Sequence, residues 1–472
     1  MQQGNKTTAP EIDFGEFAPA TYAEWREAAV AALKGADFDK KLFTKLVEGI
    51  TLHPIYNKWD EHSPVMPAGQ FPYRRGTRAL GYMEKPCEIA QSIPASSPED
   101  FNAKLLHDLE RGLTAVNIQL NCKCGLKLRK QADWDTALKG VRLDGLPVYV
   151  TPGSCGLGTL SMFLNTCKAA GVKTADLRGG VLYDPVGKAV MKGSLCGGKG
   201  ICAYYDQMAV MTKWAVATAP GIQTIGVSGL PYADTGASAF EAVGALLSTF
   251  QTIGVSGLPY ADSGASAFEE VGAMLSTAVA YLRAMEERGL SVDETAAHMR
   301  FTVSIGANLF LEIAKIRALR ELWAIIVKEC GGSEEAAKIR LHARTSFWTL
   351  SKVDPWVNLL RGSAQAFSAI MGGVDSIDVL PFDAAVRMPD EFSRRIARNC
   401  PLILLGECNL DKVVDPAGGS WYLENLTDEA SRKIWEFFQG IEKEGGIVKA
   451  LKAGSIQKKV NATAAIRDAL SE

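Results

Sequence analysis

Side chains that could do chemistry stand singly at the ends of short apolar runs, not in a compact motif. Those run ends offer Ser92, Asn117, Gln119, Thr151, Asp184, Ser228 or Ser256, Ser304, His342 and Asp378. His342 is the one histidine among them, followed closely by Arg344 and Thr345. A histidine near an arginine suits acid–base work, and it equally suits a hydrogen-bonded place near the core. No nucleophile and base stand at a spacing that makes a pair. Gly193-Ser-Leu-Cys-Gly-Gly-Lys-Gly200 nearly matches a phosphate loop, but Gly200 stands where a hydroxyl should hold magnesium. No clear buried strand leads into it, so a glycine-rich surface turn is the better reading.

Ten cysteines are scattered without a Cys-x-x-Cys pair, and the spacing of Cys122 and Cys124 is unusual for zinc. The five histidines form no metal-spaced pair either. Free thiols in a reducing cytoplasm are the expectation. With 472 residues, a net charge of −2 and 22% charged residues, nothing basic attracts nucleic acid or anionic lipid. The amino-terminal residues lack the pattern of a signal peptide, and no run of about 18 apolar residues would span a membrane.

The elements that must position these side chains alternate from Glu88 onward. Strand runs are expected at Glu88–Ile93, Thr114–Leu120, Leu146–Thr151, Gly179–Tyr183, after Gln223, and at Phe301–Ile305, Ala337–Ala343 and Ser376–Leu380, with helical stretches between. Eight strands, each followed by a helix, spell an α/β fold, a (β/α)8 TIM barrel whose strand ends point at its mouth. Before it, an irregular arm precedes a helix opened by Thr21 and Glu24 as a capping box. The expected organisation is an arm and helix for subunit contact over 1–75, the barrel over 76–386, and a helical extension over 387–472.

One stretch breaks the pattern. Gln223–Thr249 and Gln251–Thr277 are the same βα unit at an offset of 28 residues, differing only at Thr235/Ser263, Ala242/Glu270 and Leu246/Met274. Counting both gives nine strands, which this closed barrel cannot take without changing its shear. The expectation is one copy in the wall and the other displaced or disordered, with either copy able to fill the place at similar free energy.

From about Thr21 to its end the chain resembles the methylmalonyl-CoA mutase family. The resemblance rests on Pro72-Tyr-Arg-Arg-Gly76, Ser304-Ile-Gly-Ala-Asn-Leu-Phe-Leu-Glu-Ile-Ala-Lys315, His342-Ala-Arg-Thr-Ser-Phe-Trp348, Asp354-Pro-Trp-Val-Asn358, Glu391-Phe-Ser-Arg-Arg-Ile-Ala-Arg-Asn399 and Val414-Asp-Pro-Ala-Gly-Gly-Ser420. It implies a (β/α)8 barrel enclosing acyl-CoA, with adenosylcobalamin held by a flavodoxin-like domain. This chain departs where active members do chemistry. A family Tyr-His pair is Leu258 and Pro259, a second tyrosine is Ser92, and a CoA-holding arginine is Lys85. His342 is kept, but the glutamine two residues on is Arg344, and a His-x-Asn-Ser run becomes Asp378, Leu380 and Pro381. Proline and leucine offer no side-chain donor to orient a thioester. The Asp-x-His-x-x-Gly cobalamin signature and its domain are absent from the sequence.

The pattern is similar to the small (β) subunit of the heterodimeric enzyme. It implies no catalytic, cofactor or metal residues on this chain, and a homologous large subunit that holds acyl-CoA and adenosylcobalamin. A rival is an active acyl-CoA mutase barrel served by a separate cobalamin-binding chain, and a third reading is a free-standing CoA-binding barrel.

Overall fold

The computed structural model describes residues 20–57, 60, 62–120, 126–152, 155–183, 201–226 and 265–469. Asp184, the 193–200 loop, Cys122, Cys124, Ser228, Ser256, Leu258 and Pro259 lie outside the described residues. The chain divides into two compact units, Met1–Tyr56 and Asn57–Glu472. In the first, the helix Tyr22–Ala32 starts at the expected capping box, with the Thr21 N–H donating to Glu24 at 2.7 Å. A two-stranded antiparallel pair, Thr44–Lys45 and Thr51–Leu52, follows.

The second unit is a closed barrel of eight parallel strands. They are β1 Glu88–Ser92, β2 Ala115–Gln119, β3 Val148–Thr151, β4 Gly179–Tyr183, β5 Ile222–Gly226, β6 Met299–Ile305, β7 Leu341–Thr345 and β8 Ser376–Asp378. The wall runs β1 to β8 in chain order, and β8 closes on β1. Each strand has its helix: α1 Pro98–Leu109, α2 Gln131–Ala137, α3 Gly156–Ala169, α4 Ile201–Thr218, α5 Ala267–Glu286, α6 Leu309–Glu329, α7 Asn358–Gly372 and α8 Glu391–Gly406. Then come α9 Trp421–Lys443, α10 Ile447–Ala453 and α11 Ser455–Ala469. Local signals set the boundaries: Ser97 caps α1 with Pro98 in its first turn, and Asn308, Asp390 and Ser420 cap α6, α8 and α9.

One strand is displaced from its expected place. Residues 337–340 lie outside β7, which runs Leu341–Thr345. The apolar residues Ala336 and Ala337 sit instead in a turn after Ser333, whose hydroxyl accepts the Ala336 N–H at 3.2 Å. The shift carries His342 from the mouth of the barrel into its interior.

The repeat fills its slot as a chimera. The first copy supplies β5, and the second supplies α5. The expectation of a single intact copy is therefore corrected; the remainder of both copies lies outside the described residues. So is the expectation of equal free energies. Glu270 is 1% exposed; one of its oxygens accepts the Ser304 N–H at 2.7 Å and the other the Lys315 ammonium at 3.0 Å. Its counterpart in the first copy is Ala242, which has nothing to offer either donor. Burial pushes the Glu270 carboxyl up while Lys315 draws it down, and Lys315 is itself held charged by Glu270 and Glu312. Only the second copy, moreover, runs on into Tyr281, Leu282 and Met285, all buried.

Deleting residues 227–254 joins Gly226 to Val255 and leaves one uninterrupted βα unit. This variant should keep the circular dichroism of the parent and unfold at the same temperature or above it. A lower melting temperature would show that the extra residues support the wall.

Buried ion pairs lock the barrel to its C-terminal helices. Arg74 bonds Glu321 at 3.0 Å and Asp428 at 2.6 Å, and Arg75 bonds Asp415 at 2.7 Å. Arg394 and Arg398 both reach Asp108, which is 1% exposed. The runs at Pro72, Glu391 and Val414 thus have structural work to do, independent of any reaction.

Candidate functional site

The lumen of the barrel is crossed by side chains. Arg300, at the start of β6, lies over the ring of Tyr149 on β3, 3.4 Å from its centre. β4 and β5 separate these strands in the wall, so the two side chains meet through the interior. The Tyr149 hydroxyl donates to Glu88 on β1 at 2.9 Å, and Lys85 pairs with Glu88 at 3.0 Å. Arg300 also donates to the Ser376 hydroxyl at 2.7 Å, and His342 Nδ1 lies 2.9 Å from the same oxygen. Ala90, Ala115 and Leu182 pack with Tyr149 as an apolar cluster.

This arrangement gives His342 its surroundings. Burial, followed by the charges of Arg300 and Arg344, pushes its imidazolium well below the ordinary range. It holds a buried, hydrogen-bonded place inside the barrel.

A second polar group stands toward the C-terminal ends of the strands. Ser92 donates to Asp378 at 2.8 Å, Asn117 donates to Ser92 at 3.2 Å, and Gln119 donates to Asn117 at 3.1 Å. Asp378 is 2% exposed, and burial pushes its carboxyl up to about 6 despite Ser92 and Arg344. Arg344 is buried on β7 in register with Asp378. Ser92, Asn117, Gln119 and Asp378 thus do come together as expected. They form a chain of hydrogen bonds that ends on one weakly acidic carboxyl.

The folded-state value of Asp378 lies above that of an unfolded aspartate. Folding therefore takes up a proton between about pH 4 and pH 6, and this group's contribution falls as pH rises through that window. Asp378→Asn should remove the slope. Relative to the parent it should gain about 2–3 kcal/mol at pH 8 and nothing at pH 4, read by urea denaturation at both values. An equal effect at both pH values would reject the assignment.

At the opposite end, a cavity of about 610 Å³ opens among the first residues of the strands. Lys85, Glu88, Tyr149, Gln223, Arg300 and Ser376 line it. Lys85 therefore stands at the floor of the barrel, apart from the Ser92 group. Tyr149 and Arg300 escaped the sequence reading because it ranked strand ends and ignored strand starts. The alternation in Val148-Tyr-Val-Thr151, which puts Tyr149 and Thr151 on one face, was the available signal.

The sequence profile described as Methylmalonyl-CoA mutase matches residues 45–249 and 240–471. The chain belongs to the methylmalonyl-CoA mutase family. The first match ends with the first copy and the second begins inside it, so the two overlap over 240–249. The chain is 34% identical to the methylmalonyl-CoA mutase small subunit of Streptomyces virginiae, over 96% of this chain and 68% of that protein. It is 33% identical to the small subunit of Porphyromonas gingivalis, over 95% of this chain and 67% of that one. Against the methylmalonyl-CoA mutase of Escherichia coli the identity is 27%, over 95% and 62%. The chain spans about two thirds of the length of these mutases.

None of the three histidines in the described barrel stands at its mouth. His107 ends α1 and His298 precedes β6, both at the floor end, while His342 is buried and bonded to Ser376. His53 and His62 precede the barrel. Among the described residues no three His, Cys, Asp or Glu side chains are grouped to hold a metal. Nor is any described helix long and apolar enough to cross a membrane.

Proposed function

We propose that this chain is the non-catalytic small subunit of an adenosylcobalamin-dependent methylmalonyl-CoA mutase. It supports the interconversion of (R)-methylmalonyl-CoA and succinyl-CoA by a homologous large subunit, which holds both acyl-CoA and cofactor in a cytoplasmic heterodimer. The observation that carries this reading is the Arg300–Tyr149 contact through the lumen. Family barrels enclose the acyl-CoA, and here the interior is occupied by side chains bonded to one another. Ser92 in place of a tyrosine, with Leu258 and Pro259 in place of Tyr-His, supports the same reading. Lys85, Ser92, Leu258, Pro259, His342 and Arg344 are on this view degenerate active-site positions. The segment 1–75 serves subunit contact, and 387–472 is a helical extension of the 76–386 barrel.

The test is co-expression with a mutase large subunit from the same source. A stable complex that isomerises methylmalonyl-CoA, with this chain inactive by itself, is the expected result. Turnover by this chain and a separate cobalamin-binding chain, with no large subunit present, would establish the rival active-barrel reading instead.

A further inference from the structure

We propose that the cavity at the floor of the barrel binds a small carboxylic acid carrying a hydroxyl group. Arg300 holds the carboxylate and Gln223 the hydroxyl.

Arg300 lines this cavity and is 4% exposed. A charge so deeply buried is ordinarily paired with an opposite one. Here the lining carboxylates are already engaged: Glu88 by Tyr149 and Lys85, and Asp375 by Arg78. Among the described residues none lies within ion-pair distance of Arg300. A guanidinium carries five N–H donors, and this one donates to the Ser376 hydroxyl and lays its face on the Tyr149 ring. The ring attracts a cation but brings no negative charge. An unpaired buried charge costs stability, which is the pattern of a group kept for a ligand.

Gln223 is a separate sign of the same kind. It is 6% exposed, lines the same cavity, and its amide oxygen is buried without a donor. Buried acceptors normally have partners. The two side chains together ask for a ligand with one negative charge and, apart from it, one hydrogen-bond donor. A single guanidinium fork matches the two oxygens of a carboxylate. A phosphate dianion would leave one buried negative charge without a partner. The donor is a hydroxyl and not an ammonium, because Glu88 and Asp375 are not free to meet a second cation. The volume of about 610 Å³ admits such a molecule with water beside it.

The experiment is thermal unfolding of the full chain in lactate, acetate, phosphate or chloride, at one pH and one ionic strength. No partner chain is added, so the outcome is independent of the small-subunit reading. Lactate should raise the unfolding temperature and saturate. Acetate should do so only at higher concentration, and phosphate should do no more than chloride. Gln223→Leu should bring lactate down to the level of acetate. Arg300→Lys keeps a charge above Tyr149 without the fork. It should raise the half-saturating lactate concentration about tenfold, the scale of losing a hydrogen bond to a charged group. No saturable lactate response in the parent, an unchanged response in Arg300→Lys, or a stronger response to phosphate than to lactate would overturn the proposal.

Discussion

Replacing Glu270 by alanine is expected to destabilise the folded chain by about 3 kcal/mol, the scale of breaking a buried ion pair by removing one partner. The substitution writes the first copy's residue, Ala242, into the second copy. It leaves the Ser304 N–H without its acceptor and deprives Lys315, itself 1% exposed, of one of two carboxylates. A buried donor without a partner costs more than the bond was worth, because its hydration is not recovered. Restoring the glutamate elsewhere should not help: the pair Ala242→Glu and Glu270→Ala should be as unstable as Glu270→Ala alone. In sequence the first copy is followed by Phe250-Gln251, not by the buried Tyr281, Leu282 and Met285 that anchor α5. Guanidinium unfolding of the parent and both variants measures this. Full recovery in the double variant would mean that a glutamate at position 242 can replace Glu270 in the pairing with Ser304 and Lys315, and would overturn the assignment.

Arg317→Met is expected to cost about 3–5 kcal/mol. The guanidinium is fully buried, with Nη1 at 2.7 and 2.8 Å from Asp415 and Nη2 at 2.6 and 2.7 Å from Glu424. That clamp joins α6 to α9 and to the turn at Asp415, a residue held at φ +46°, where side chains other than glycine are strained. Methionine fills much of the same space but takes the two-pronged partner from both buried carboxylates, leaving Asp415 to Arg75 and Glu424 to the Gly419 N–H and Arg74. Arg317→Met with Asp415→Asn and Glu424→Gln removes both carboxylate charges and should recover a substantial part of the loss, since an uncharged set escapes the desolvation penalty. Arg317→Lys keeps the charge without the two-pronged geometry and should fall between. If the triple variant is no more stable than the single one, the carboxylate charges are not the cause.

Much of this molecule was legible without coordinates. Strand runs bounded by capped helices follow from alternation and local hydrogen bonding, so Ser97, Thr21 and the eightfold count could be read from neighbours a few residues apart. The polar group of Ser92, Asn117, Gln119 and Asp378 was legible for the same reason: parallel strands of a barrel bring their C-terminal ends to one rim. The family resemblance, and with it the substitutions at Lys85, Ser92 and Arg344, also lay in residue order.

What residue order left open depended on contacts between distant segments. The place of His342 turned on β7 starting at Leu341 and not at Ala337, and on Ser376 and Arg300 lying beside it. The contact of Arg300 with Tyr149 needed two strands that are not neighbours in the wall to face each other. The repeat shows the division most plainly. Two near-identical copies carry the same local preferences, so no local rule could choose between them. For the helix, Glu270 against Ser304 and Lys315 separates the copies, because buried charge discriminates where secondary-structure propensity is equal.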